Sequence, residues 1–153
     1  MAAIRFLSDR LVSLSSLKPV EVKEHGYLGR AFGHRLDCSA GGRPLQLDGK
    51  TYASGLGLHS FCELTYELDA KCSTFIAMVG IDDAARPRGD AQLIFIGDGK
   101  ELSQPLRLTG KDKPQLVRLS VHGVRTLTIR VEFGSDGVDV GDHVDIADAR
   151  LVK

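Results

Sequence analysis

This sequence of 153 residues has no tryptophan, few cysteines and no net charge. Its three cysteines, Cys38, Cys62 and Cys72, are an odd number without metal-finger spacing, so we expect free and mostly buried thiols. Lysine plus arginine equals aspartate plus glutamate, at 20 each. No overall field therefore attracts nucleic acid or an anionic membrane, and neither partner is expected.

Long apolar segments are missing as well. The apolar stretch from Cys72 to Ile81 has ten residues, which is too short to cross a bilayer. The first ten residues, MAAIRFLSDR, lack the apolar run of a signal peptide. We expect no membrane insertion and no export signal in this chain, which either stays inside the cell or is a piece of a longer precursor. Its length suits a single domain over residues 1–153.

Alternation of apolar and polar residues is the dominant pattern that is present. In CELTYELDA (62–70) and in TLTIRVEF (126–133), every second residue is apolar and the residues between are polar. This period of two predicts half-buried antiparallel strands. The segment STFIAMVGI (73–81) is apolar on both faces and predicts a central strand.

Turn residues divide the rest of the chain into short segments. Asp48-Gly49 and Gly97-Asp98-Gly99 predict hairpins. PLRLTG and PQLVRLSVHG supply two more short strands, and no segment has sustained helical spacing with caps. About eight to ten short strands predict an all-β fold, an antiparallel β-sandwich.

The last twenty residues, GSDGVDVGDHVDIADARLVK, have an aspartate at every third position from 136 to 148. Interrupting glycines and valines argue against a helix, and the spacing differs from that of a calcium-binding EF-hand loop. We therefore predict a glycine-rich loop followed by a short last strand, ARLVK. Asp136 and Asp139 are expected to be solvated. Asp142, His143, Asp145 and Asp148 alternate with small and apolar residues, so we expect them to be partly buried and to need partners.

The candidate catalytic patterns are all incomplete. His143-Val144-Asp145 has the H-x-D form of an iron-oxygenase site, but no histidine follows it. The sequence has no G-x-S-x-G elbow. The adjacent carboxylates of Asp82 and Asp83 are expected to point to opposite sides of a strand end, unlike a glycosidase pair. We therefore expect a protein that is not an enzyme.

Three segments in register carry a family resemblance: GGRPLQLDGKTYASGLGLHSFCELTYELD, FIAMVGIDD and GDHVDIADARL. Together they resemble the NPCBM family, which overlaps the family 51 carbohydrate-binding modules, and the likeness runs from about residue 6 to residue 151. The resemblance implies a galactose-binding-like jelly-roll sandwich and a non-catalytic module. Such a module is expected to be monomeric, tethered to a larger glycoside hydrolase or envelope protein, and located outside the cell or in the cell envelope.

The same resemblance suggests where a glycan would bind. Candidate contacts lie after the strands ending near residues 59 and 81 and before the last strand: His59, Asp82, Asp83, Arg86, Arg88, Asp142, His143 and Asp145. Purely structural alternatives stay open. His59 could serve only as a hydrogen-bonded group, Asp82 as the acceptor of an Asx-turn, and the two arginines as counter-charges for the acids.

A structural calcium ion is a second expectation from the resemblance, held by Asp9, Asp37 and Asp148 with loop carbonyls. The alternative is that Asp148 pairs with Arg35 or Arg150 and that no ion binds.

The chain departs from the family pattern where Ile146 replaces a tryptophan. Sugar sites use a flat aromatic face together with polar groups, and the aromatic candidates are Tyr27, Phe32, Phe61 and Phe133. We therefore expect weak binding of a galactose-like sugar. The alternative is a protein-interaction or structural domain that has lost sugar binding.

Overall fold

The computed structural model describes residues 10–26 and 33–153, and these residues form an antiparallel β-sandwich. The predicted all-β fold is confirmed. Within the described ranges, no helix has the length and apolar character needed to cross a membrane.

Six strands form the first sheet, sheet A: β1 (Leu11–Ser13), β3 (Arg35–Leu36), β6 (Gly55–His59), β8 (Thr74–Ile81), β12 (Gln115–Ser120) and β14 (His143–Val152). Their order is β12-β8-β14-β6-β3, and β1 also pairs with β14. The segment predicted to be central, β8, has a partner on each side, as expected from its apolar sequence.

Six further strands form sheet B: β2 (Glu21–Glu24), β7 (Cys62–Glu67), β9 (Asp90–Gly97), β10 (Lys100–Glu101), β11 (Leu106–Thr109) and β13 (Thr126–Phe133). Their order is β10-β9-β13-β7-β2, and β11 also pairs with β9. Both segments with period-two alternation are strands here, and their buried and half-buried residues alternate as predicted.

A small hairpin, β4 (Leu45–Leu47) and β5 (Lys50–Tyr52), forms a separate two-stranded sheet. Its turn is Asp48-Gly49, as predicted, with φ values of 50° and 81°. Positive φ at both positions is the geometry of a tight hairpin turn, in which glycine carries no steric penalty. Residues Leu14–Ser16 form one turn of 3-10 helix after β1.

The core lies between sheets A and B and is filled by the inward-facing residues of both. Tyr66, Phe75 and Phe95 are its largest fully buried side chains, and the Phe75 and Phe95 rings are 5.3 Å apart. Burying an apolar side chain of this size contributes about 1.5–3 kcal/mol. All three cysteines are free thiols, and Cys62 and Cys72 are buried.

The last strand differs from the prediction. β14 begins at His143 and runs for ten residues, so HVDIAD belongs to a strand and not to a loop. Val144 and Ile146 face the core between β6 and β8. The free energy gained by burying these two side chains outweighs the polarity of Asp145 between them. The strand pairing shifts between Ala147 and Arg150, where Asp148 has a φ of 50°.

Two ends of the sandwich can be distinguished. At one end, which we call the rim, β6 ends at His59, β8 ends at Ile81 and β14 begins at His143. At the opposite end, Leu11 pairs with Val152, and the backbone amide of Lys153 donates a hydrogen bond to the carbonyl of Arg10 over 2.8 Å.

Candidate functional site

Two histidines meet at the rim. His59 and His143 are cross-strand partners on β6 and β14, and their ring centroids are 5.2 Å apart at an interplanar angle of 63°. The carbonyl of His143 accepts a hydrogen bond from the amide of Asp82 over 2.8 Å. Three separated parts of the sequence therefore come together here, as their positions at strand ends predicted.

The two imidazoles differ in exposure. His59 is 4% exposed, and its Nδ1 lies 3.0 Å from the carbonyl oxygen of Ser60. A carbonyl can only accept, so Nδ1 of His59 carries the hydrogen. His143 is half-buried, and burial, followed by the proximity of His59, lowers the pKa of its imidazole. His143 is therefore neutral at neutral pH, with one donor and one acceptor nitrogen.

A loop covers the outer face of β6 beside these histidines. A Cβ on Gly57 would lie 2.3 Å from the carbonyl oxygen of Cys38 and 2.6 Å from the amide nitrogen of Ala40. Only a glycine at position 57 lets the loop approach this closely. The same loop brings Gly41 next to the imidazole of His143, with 3.7 Å between Cε1 and a Cβ built on Gly41.

Asp82 and Asp145 are buried together behind the histidines, each at most 1% exposed. Both carboxyl groups accept a hydrogen bond from the backbone amide of Gln46, over 3.1 and 3.2 Å. Asp82 also accepts the amide of Ala84 over 2.9 Å, which is the Asx-turn alternative considered for it. Burial, then the neighbouring carboxyl group of Asp82, raises the pKa of Asp145 to about 10.

Asp83 holds the same hairpin as Asp82. Its carboxylate accepts the amides of Asp48 and Gly49 over 2.9 and 2.8 Å. The two adjacent carboxyl groups were expected to point to opposite sides of the strand end. Instead, the β4–β5 hairpin folds over that end and contacts both of them. Arg86 lies 3.9 Å from Asp83 and donates from Nε to the carbonyl of Gly110 over 2.8 Å, so it neutralises an acid and ties two loops together.

Asp142 is fully buried at the rim, at 0% exposure. Its carboxylate accepts the hydroxyl of Ser60 over 2.6 Å and the amide of Asp90 over 2.8 Å. Burial raises the pKa of Asp142 to about 6, although the Ser60 and Asp90 hydrogen bonds oppose this rise. Asp142 therefore connects the ends of β6, β9 and β14.

The arginine that follows in the same loop, Arg88, is exposed. No hydrogen bond or ion pair of its side chain occurs with the described part of the chain. Its charge nevertheless acts on His143, whose pKa it lowers together with burial and His59. The rim therefore presents the half-buried neutral imidazole of His143, and the exposed Arg88 borders it, since the Cβ of Arg88 would lie 2.6 Å from a Cβ on Gly141, two residues before His143.

The five closing aspartates have different environments. Asp142 and Asp145 are buried, Asp136 is exposed, and Asp139 and Asp148 are half-buried. Asp136 is therefore solvated as expected, whereas Asp139 keeps only part of its exposure. Their regular spacing has no common structural cause.

Two of the three predicted calcium ligands can be described. Asp37 is exposed and accepts the amide of Gly55 over 3.0 Å, and Asp148 lies 3.5 Å from Nε of Arg150, which is one of the alternatives considered. Asp9 lies outside the described residues, and residues 10–26 and 33–153 bring no group of three His, Cys, Asp or Glu side chains together for a metal ion. Calcium binding stays a prediction, tested by comparing Tm in millimolar calcium and in chelator.

One aromatic group at the rim was not anticipated. The exposed ring of His25 stacks on Phe61, with centroids 4.7 Å apart at 13°, and lies 6.3 Å from the ring of Phe133. Phe61 directly follows Ser60, which binds Asp142. Phe61 and Phe133 were sequence candidates, whereas nothing in the sequence pairs His25 with Phe61. Tyr27 and Phe32 lie outside the described residues.

Comparison with known proteins gives the family of the chain. The profile of the NPCBM/NEW2 domain matches residues 10–152. The chain belongs to this family. NPCBM domains are carbohydrate-binding modules, as the resemblance implied. A protein of Renibacterium salmoninarum named "Putative endo-alpha-N-acetylgalactosaminidase" is 33% identical to the NPCBM domain over 90 residues, or 59% of this chain. The chain spans only 6% of that relative.

Solved structures of family 51 carbohydrate-binding modules share the fold. A Clostridium perfringens ZmpB structure with the M60 catalytic domain and two such modules has a TM-score of 0.83 at 21% identity, over 94% of this chain and 15% of that chain. The module from Clostridium perfringens GH95, in complex with methyl-galactose, has a TM-score of 0.81 at 23% identity, over 93% and 99%. A second ZmpB structure, with GlcNAc bound to CBM51-2, has a TM-score of 0.82 at 22% identity, over 94% and 31%. The NPCBM domain therefore has the sandwich architecture of these modules.

Proposed function

We propose that this NPCBM domain is a non-catalytic carbohydrate-binding module that binds a galactose-like sugar at the rim. The observation that carries the proposal is the half-buried neutral imidazole of His143 beside the exposed Arg88. Membership of a family of carbohydrate-binding modules supports sugar as the ligand class. One related module was solved with methyl-galactose and another with GlcNAc.

The chemistry of these two side chains suits sugar hydroxyls. A neutral imidazole can donate to one hydroxyl or accept from it, depending on the hydroxyl's rotation. A guanidinium group presents parallel N–H donors that can bridge two adjacent oxygens in a plane. Together they can recognise the pair of hydroxyls at C3 and C4, whose relative orientation distinguishes galactose from glucose.

The buried residues act by positioning these contacts. His59 packs edge-on against His143 and is itself held by the carbonyl of Ser60. Asp82 and Asp142 accept hydrogen bonds from backbone amides, Asp142 also accepts the hydroxyl of Ser60, and Asp145 accepts the amide of Gln46 through Oδ2. They fix the strand ends and the hairpin around His143, and they do not reach the sugar themselves.

The NPCBM domain without tryptophan is expected to bind weakly. A stacked indole would desolvate much apolar sugar surface, and without it a monosaccharide affinity on the order of millimolar is reasonable. Weak modules gain effective affinity when they are tethered next to other binding or catalytic domains. We therefore place the NPCBM domain in a larger protein that acts on glycans outside the cell or at its envelope.

A titration followed by NMR tests the proposal. Galactose added to the 15N-labelled protein is expected to shift the amides of residues 59, 88 and 143, with smaller shifts for glucose. His143→Ala and Arg88→Ala should each lower the affinity about tenfold, as expected for the loss of a hydrogen bond to a charged or well-oriented group. Asp136→Ala is the matched control, since Asp136 is an exposed acid on the neighbouring loop.

A protein-interaction domain is the second candidate. The outer face of sheet A presents Leu116, which is 67% exposed, beside the half-buried Ile76 and Met78. An apolar surface of this kind is typical of a contact with another protein. A flat titration across galactose, glucose and GlcNAc would reject the sugar-binding proposal and favour this candidate.

A further inference from the structure

A depression of about 400 Å³ lies directly beside the rim, on the side of sheet B. Its lining includes Asp90, Arg107, Thr109, Lys111 and Asp112. Its volume falls within the range of roughly 300 to 1,000 Å³ that is common for small-molecule sites. Neither the histidines nor Arg88 form part of its lining, so it is distinct from the surface assigned above.

Two of the charged groups in this depression, Arg107 and Asp90, hold each other in place. Arg107 donates to Asp90 from Nε and Nη2, over 3.2 and 3.1 Å, and from Nη2 to the hydroxyl of Ser135 over 3.0 Å. The same hydroxyl donates to Asp90 over 2.7 Å. The hydrogen bonds from Arg107 lower the pKa of Asp90, and this effect outweighs the opposite effect of burial. A guanidinium held in this way keeps its orientation without a ligand, so less conformational entropy is lost on binding.

Donors and acceptors in the depression are left over after these contacts. Nη1 of Arg107 and the ammonium group of Lys111 have no hydrogen-bond partner among the described residues. Asp112 accepts the hydroxyl of Thr109 through one carboxylate oxygen, over 2.7 Å, and its second oxygen is available. Two cations and two carboxylates line the surface, so their charges balance. This mixture suits a neutral, polyhydroxylated ligand better than an anion or a cation.

The depression and the rim share one short segment of backbone. Gly89 and Asp90 line the depression, and Arg88, which directly precedes them, lies next to Gly141, two residues before His143. The amide of Asp90 donates to the carboxylate of Asp142, and the carbonyl of Gly89 accepts the amide of Gly110 over 3.0 Å. Because the two surfaces adjoin along this fixed backbone, with only Gly89 between Arg88 and Asp90, adjacent units of one chain-like ligand can contact both.

We propose that this depression is a second sugar subsite, and that the ligand of the NPCBM domain is a neutral oligosaccharide of at least two residues. This inference rests on the proposed function, which places the terminal galactose-like unit at His143 and Arg88. Arg107, Lys111 and Asp112 then bind the hydroxyls of the next unit. The missing tryptophan is offset by the extra hydrogen bonds of the second unit.

Calorimetric titrations of methyl β-galactoside and of a panel of neutral disaccharides with terminal galactose in α and β linkage test this inference. At least one disaccharide should bind about tenfold more tightly than the methyl galactoside. Lys111→Ala should remove most of that gain and leave the affinity for methyl β-galactoside unchanged. Arg107→Ala should do the same, and Arg125→Ala, an exposed arginine at the opposite end of the sandwich, is the matched control.

The possible outcomes separate the two proposals. If methyl β-galactoside binds and no disaccharide binds more than twofold better, the second subsite is rejected and the rim site stands. A gain that survives both Lys111→Ala and Arg107→Ala also rejects it. If nothing in the panel binds, both proposals fail. Because the Lys111 side chain has no hydrogen-bond or ion-pair partner within residues 10–26 and 33–153, its variant gives a result even if Arg107→Ala disturbs Asp90.

Discussion

Asp82 and Asp145 accept hydrogen bonds from the same backbone amide, that of Gln46, and so join β8 and β14 to the small hairpin. Two carboxyl groups this close do not both ionise easily, because each destabilises the charge of the other. The raised pKa of Asp145, about 10, means that it holds a proton at neutral pH. One proton shared by the pair allows both side chains to be buried.

This proton gives a prediction about stability and pH. The pKa of Asp145 is raised on folding from its ordinary value near 4 to about 10, so the folded state binds a proton that the unfolded state releases. Its stabilising contribution is present at low pH and is lost as the pH rises from about 4 towards 10. The asparagine side chain of the Asp145→Asn variant cannot titrate. At pH 8 the free energy of unfolding of this variant should therefore exceed that of the wild type by about 1 kcal/mol or more. Urea denaturation followed by circular dichroism measures the difference. A difference of the same size at pH 5 and pH 8 would contradict the shared proton.

Removal of Asp82 should be far more destabilising than removal of Asp136. Asp82→Ala leaves the amide of Ala84 without its acceptor and leaves Asp145 as the remaining acceptor for the amide of Gln46, and we expect a loss of about 2 kcal/mol in the free energy of unfolding. Asp136→Ala removes an exposed carboxylate and should change stability by less than about 0.5 kcal/mol. Chemical denaturation of both variants compares them. Equal small effects would mean that Asp82 has no structural role.

The Ser60 hydroxyl should matter more at pH 7.5 than at pH 5. The pKa of Asp142 is raised to about 6, so its carboxyl group is mostly charged at the higher pH. A hydrogen bond to a charged acceptor contributes about 1.5–3 kcal/mol, against about 1 kcal/mol for a neutral one. Ser60→Ala should therefore destabilise the NPCBM domain more at pH 7.5, as measured by denaturation at both pH values. Equal losses at pH 5 and pH 7.5 would contradict a change in the charge of Asp142 between these pH values.

Gly57→Ala should displace the loop that covers β6. The added Cβ would lie within 2.6 Å of backbone atoms of Cys38, Ser39 and Ala40, and overpacking of this kind costs roughly 1–3 kcal/mol. Gly33→Ala is the control, because its nearest neighbour would be at 3.7 Å. Differential scanning calorimetry should show a lower Tm for Gly57→Ala alone. An unchanged Tm would show that the loop can move aside without loss.

The sequence predicted strands and turns well where the pattern that specifies them lies within a few neighbouring residues. Alternation located β7 and β13, and Asp48-Gly49 located the β4–β5 hairpin. The start of β14 was missed because its aspartates are polar in sequence, whereas in the fold Asp145 accepts a hydrogen bond from the amide of Gln46, 99 positions away. A hydrogen-bond partner this far away along the chain cannot be recognised from a short segment of sequence. His25 was missed for the same reason, since it stacks on Phe61 across two strands.

The rim residues were located better than their roles. His59 ends β6 and His143 begins β14, while Asp82 directly follows β8 and Asp142 directly precedes β14. Their positions at strand ends are why the sequence could place them at one end of a sandwich. Which of them faces solvent depends on the loop over Gly57 and on the hairpin over Asp82. Neither covering element is visible from the rim residues themselves.

The pairing of Leu11 with Val152 places both ends of the described chain side by side, opposite the rim. Arg10 and Lys153 therefore lie close together, at the end of the sandwich opposite His143. The chain therefore enters sheet A at Leu11 and leaves it at Val152, and both points lie at the end of the sandwich opposite the candidate binding surface.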